Sequence, residues 1–181
     1  IRETLERRGL DDLSEAETSI AVDAVKTLLN PRFCGVSLAM ATEGLEFCAW
    51  PQHDRPIRWT FQGRLPSMDD GSTRLCIREA LAGIAEFIDI LFEESESQVG
   101  TQFLFTTANL GSAGGVLAQA QLVPCGIRSN DQFQSRIQIA VNENWSRAAT
   151  PSGLTIDMVR VVRHEALHSL GLGHIGPGNL L

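Results

Sequence analysis

The chain is short of every feature that would tie it to a membrane or to nucleic acid. No apolar run approaches the ~18 residues a bilayer span needs. Positive charge is scarce: 15 Lys and Arg stand against 22 Asp and Glu, giving a net charge of -7 and a pI near 5.1. That balance argues against nucleic acid or an anionic lipid surface as the main partner. No internal repeat and no low-complexity tract is present. The four cysteines, Cys34, Cys48, Cys76 and Cys125, show no C-x-x-C spacing, which argues against a cysteine-only zinc site. Both disulfides and buried free thiols stay open for them. The glycine-rich run "NLGSAGG", 109–115, leads into a strand-like segment rather than a helix, so it fails the structural test for a phosphate-binding loop. The chain begins at Ile1 and shows no signal peptide, which reads as a fragment or a processed chain.

What is present suits one compact domain with an appendage. The chain has 181 residues, of which 43% are hydrophobic, enough for a sizeable core. Residues 14–29 predict a helix, opened by the capping-box pair Ser14 and Glu17 and closed by Pro31. Residues 44–58 predict a linker or loop, and 57–63 a strand. Turn residues at 67–72 precede a long helix predicted over 73–94, with Leu81, Ile84, Ile88 and Leu91 at helical spacing. Strands are expected at 101–108, 116–124 and 135–145, with a loop at 149–153. A last helix runs from about 155 to 170 and stops at Gly171. The charged stretch 91–98 reads as a solvated helix end, and Trp50, Trp59 and Trp145 as packing residues. The order predicts an α+β (α/β-like) fold with one sheet of about four or five strands.

The chemistry concentrates in "HEALHSLGLGH", residues 164–174. His164 and His168 stand four apart on a helix, so both imidazoles leave one face about one turn apart. That spacing suits two corners of a tetrahedral zinc site. Glu165 lies where it can reach a zinc-held water without being a ligand. Gly171 can end the helix and turn the chain so that His174 supplies a third nitrogen. Three protein ligands leave a corner open, the catalytic rather than the structural arrangement. The pattern arises by chance on the order of once in 10⁵ such chains, so accidental decoration of a helix end is a poor rival. A noncatalytic zinc site with the same ligands would leave Glu165 without a purpose.

At these residues the chain resembles the metzincin zinc peptidases, and most closely the matrixin (matrix metalloproteinase) family. The Leu170-Gly171-Leu172 run matches the matrixin form, whereas Ile175 stands where matrixins usually carry Ser or Thr. "GGVLAQA", 114–120, resembles the family's glycine-led edge strand, and "VNENW", "RWTFQG" and "IREALAGIAEF" resemble other elements of its catalytic domain. The resemblance covers roughly residues 57–181. It implies a zinc endopeptidase with Glu165 as general base, zinc on His164, His168 and His174, and an extended protein substrate along the edge strand at Leu117 and Ala118. "NPRFCGVS", 30–37, resembles the Pro-Arg-Cys-Gly segment of matrixin propeptides, whose cysteine closes the zinc. That makes Cys34 a candidate inhibitory ligand and the chain a latent zymogen. Phe33 is inserted before the cysteine, and Ser37-Leu38 replaces the usual Pro-Asp.

The resemblance divides the chain into a helical propeptide-like segment, 1–50, and a catalytic domain, 51–181, whose C-terminal subdomain is truncated, the methionine of the family's turn being either just past the end or replaced. It further implies a secreted monomer. A second, histidine-held zinc is not expected, since only His53 lies outside the motif, while the glycine-rich loop leaves room for Ca2+. The alternative from another class is a catalytically inactive zinc-binding or interaction module of the same fold.

Overall fold

The computed structural model describes residues 56–122, 134–147 and 155–172. The predicted helix at 14–29, the loop at 149–153, Pro124, His53, Cys34 and His174 lie outside the described residues, as does most of the loop 44–58.

Strand β1 spans Ile57–Gln62 and alternates buried Ile57, Trp59 and Phe61 with the exposed Arg58 and the buried Thr60. Helix α1 spans Asp70–Ala85. Its start is fixed by Asp69, whose Oδ1 accepts the N–H of Ser72 at 2.9 Å, while Oδ2 takes the Ser72 hydroxyl at 2.6 Å. The turn residues of the sequence thus run into the first turn of the helix. The helix buries Ile77, Leu81 and Ile84.

The predicted helix over 73–94 is too long at its C-terminal end. The chain leaves the helix at the cap Glu86, and residues Phe92–Glu94 form strand β2, parallel to β1. Glu93 and Glu94 are good helix formers, but pairing with β1 overrides propensity. Ile57 N–H donates to Leu91 O and Ser95 N–H to Trp59 O, both at 2.8 Å. Nor is the stretch 91–98 a solvated helix end: Glu94 accepts from Arg74 at 2.9 Å and from Arg78 at 2.6 Å, tying the strand to α1.

Strand β3 spans Phe103–Ala108, β4 Ala118–Ala120 and β5 Ser135–Ala140. The five strands form one mixed sheet in the order β2-β1-β3-β5-β4. All neighbours are parallel except β4, which runs antiparallel to β5 at the sheet edge. The strand expected at 135–145 breaks at the turn residues Asn142-Glu143-Asn144. Trp145–Ser146 (β6) then pairs with Ile156–Asp157 (β7) in a second small sheet. Helix α2 spans Met158–Ser169, capped by Asp157, whose Oδ1 accepts the Arg160 N–H at 3.1 Å.

The core lies between the sheet and the two helices. Trp59, Phe103 and Phe105 from the sheet meet Ile77 and Leu81 of α1 and Met158, Val162 and Ala166 of α2. Trp59 and Phe105 pack edge-to-face with ring centres 5.9 Å apart. Trp145 is buried and its indole N–H donates to Ala140 O at 2.7 Å, so it packs as expected. Among the described residues, the five-stranded mixed sheet with two helices packed on it is the α+β fold class read from the sequence.

Candidate metal centre

The last turns of α2 carry the residues of interest. His164, Glu165 and His168 are all buried, Glu165 and His168 completely. The four-residue spacing does what helix geometry requires: the two rings lie 4.6 Å apart at right angles, with His164 Nε2 and His168 Nε2 separated by 3.0 Å.

The end of the helix sets the chemistry of one ring. Gly171 takes φ +96°, and its N–H donates to His168 O at 2.8 Å while Leu172 N–H reaches back to Leu167 O at 3.1 Å. This is a Schellman turn, which needs a residue free to adopt positive φ. The turn folds the Leu172 carbonyl to 2.5 Å from His168 Nδ1. A carbonyl only accepts, so Nδ1 carries the proton, and in the neutral ring Nε2 keeps its lone pair. A backbone carbonyl orienting an imidazole in this way is the usual support for a metal-binding histidine.

The donor set fits a zinc ion. Two nitrogens at ~2.0–2.1 Å from a tetrahedral zinc lie about 3.3 Å apart, a few tenths of an ångström from the spacing seen. Among the described residues no three His, Cys, Asp or Glu side chains converge on a metal position. The third expected ligand, His174, and the candidate inhibitory Cys34 lie outside them. Calcium finds no support among the described residues. In the glycine-rich loop the Gly111 carbonyl accepts from Asn142 Nδ2 at 2.5 Å and the Gly114 N–H donates to Glu143 Oε1 at 2.6 Å.

Helix α2 packs across β4 and β5, and β4 is the edge of the sheet, with no further strand paired to it among the described residues. The Leu117 carbonyl accepts from Ala140 N–H, and Gln121 N–H donates to Arg136 O, both at 2.9 Å. With a strand period of two, Leu117, Gln119 and Gln121 direct their backbone groups to β5. Ala118 and Ala120 direct theirs to the open edge. Of the two residues singled out in the sequence, Ala118 therefore presents its backbone outward while the Leu117 carbonyl is engaged within the sheet. Ala120 and the Leu172 carbonyl were not singled out. Counting alternate residues from Ala118 could have found the first; nothing in the residue type at 172 could have found the second.

A family model described as Matrixin matches residues 49–179. No curated protein matches the chain.

Proposed function

The chain belongs to the matrixin family, and on that footing we propose that it is a zinc-dependent endopeptidase held latent by Cys34. The observation that carries this reading is the converged pair of imidazole nitrogens, with the His168 tautomer set by Leu172. His164, His168 and His174 would hold the ion. When bound, zinc supplies a Lewis acid that polarises the scissile carbonyl and makes water more acidic.

The remaining chemistry belongs to the chain itself. Glu165 takes the proton of the attacking water as general base and delivers it to the leaving amine. Glu165 is completely buried, which keeps bulk water from competing for that proton. The substrate adds to the open edge of the sheet as an extended strand. Ala118 and Ala120 offer it backbone donors and acceptors, and Leu117 and Ala118 shape the rail beneath it. This reading makes the chain a secreted, monomeric protease acting on protein or peptide; among the described residues no helix is long and apolar enough to cross a membrane.

Cleavage of a generic protein substrate by the activated chain tests the enzyme. Glu165→Ala is expected to lower the rate by about 10²-fold or more, the scale of a general base, with zinc still bound. Activity that survives the change refutes the mechanism, and zinc binding without turnover in the wild type points to the inactive module instead. Latency has its own test. A sulfur-held ion has no place for the nucleophilic water, so Cys34→Ser is expected to be active without processing. Unaltered latency refutes the switch.

A further inference from the structure

A small buried polar cluster lies where β3, β4, β5 and α2 meet. Ser135, the first residue of β5, and Ser169, the last of α2, are both completely buried, with hydroxyl oxygens 2.7 Å apart. Ser135 Oγ also lies 2.7 Å from the carbonyl of Gln121, just past the end of β4. The Ser135 backbone N–H donates to Gln102 O, just before β3, at 2.7 Å.

Each hydroxyl has one proton, so the direction of the chain is determined. The Gln121 carbonyl only accepts, hence Ser135 donates to it, and Ser169 donates to Ser135. Buried hydroxyls persist in a core when bonded in this way. The chemistry proposed above uses neither of them. Yet one end of the chain is the strand whose edge lies open, and the other is the residue next to His168.

We infer that Ser135 is a positioning residue that locks the open edge strand to the helix bearing His164 and His168. What lies along that strand rests on the peptidase reading; the lock itself does not. Without the shared hydroxyl, the last turn of α2 and the end of β4 lose this directional tie, and apolar contact, which has no direction, permits sliding. A ligand pair and a peptide rail that slide relative to one another lose their common register.

The test compares Ser135→Ala and Ser169→Ala with the wild-type chain. Three quantities are read: amide exchange at Leu172, zinc affinity against a competing chelator, and KM and kcat for an extended peptide. Ser135→Ala removes the partner of both ends. It is expected to speed Leu172 exchange, weaken zinc binding and raise KM, each about fivefold, the scale of one hydrogen bond, with kcat changed less than about twofold. Ser169→Ala keeps the Ser135–Gln121 bond but parts the helix from the strand all the same, so it is expected to move Leu172 exchange, zinc affinity and KM in the same directions. The double variant should be no worse than Ser135→Ala, because one chain is being cut twice. A lower melting temperature with exchange, zinc affinity and KM all unchanged overturns the inference, since a purely structural role does just that. If Ser135→Ala does not fold, Ser169→Ala decides by the same exchange and zinc readings. If the wild type cleaves no peptide, the peptidase reading fails while exchange at Leu172 still judges the lock.

Discussion

Replacing Gly171 with alanine is expected to damage the proposed metal centre more than the fold. The residue sits at φ +96°, a region L side chains rarely adopt. Holding alanine there costs on the order of 1–3 kcal/mol. Against this, alanine restricts the unfolded chain and returns about 0.4–1 kcal/mol. Strain wins, and the net loss of about 1–2 kcal/mol corresponds to a melting temperature lower by roughly 2–8 °C for a chain of this size. The second consequence is local. If the turn opens to relieve the strain, the Leu172 carbonyl leaves His168 Nδ1, and the ring loses the contact that fixes its tautomer. Loss of such outer support weakens metal binding about 10–100-fold. Urea unfolding of the metal-free chain and zinc competition with a chelator measure the two effects separately. Gly111→Ala is the control: it carries φ +118° with open space around its would-be Cβ, so it should lose stability and keep its zinc affinity. A Gly171→Ala chain that binds zinc as tightly as Gly111→Ala refutes the argument from the turn.

Two further outcomes follow from the same geometry. On the peptidase reading, Ala120→Pro deletes an N–H that faces the edge away from β5, so it should raise peptide KM and leave the melting temperature nearly unchanged; Gln119→Pro deletes one that faces β5 and should destabilise the sheet by about 1–3 kcal/mol, the cost of a ladder hydrogen bond left unmade. The bond from Ser72 holds the Asp69 carboxyl below its usual pKa, so its contribution to stability is present above the unfolded value of about 3.9 and disappears as pH falls through the lower folded one. The melting-temperature gap between wild type and Asp69→Ala, followed by calorimetry, should therefore be full at neutral pH and close in acid; a gap independent of pH would mean that Asp69 acts only through packing.

Local rules were legible where the deciding interactions are local. The spacing of His164 and His168, the stop at Gly171 and the strand at 57–62 each depend on residues within about one turn or one pleat of each other. The rules failed at 92–94, where "FEE" continues a good helix in every local respect. Leu91 fits the apolar stripe of that helix, yet it is 73% exposed, because the chain has already turned to pair with β1. Glu94 could not be distinguished from its surface neighbours until Arg74 and Arg78 were brought beside it.

The residues alone determined that two imidazoles leave one helical face beside a carboxylate, since 3.6 residues per turn admits no other arrangement of positions 164, 165 and 168. Tertiary structure decided which backbone edge stands open among the described residues, and that two serines 34 positions apart share a proton chain. Those depend on strand order and on how a helix lies across a sheet. Contacts at such separation are chosen by the packing of the whole core, and no short stretch of the chain carries them.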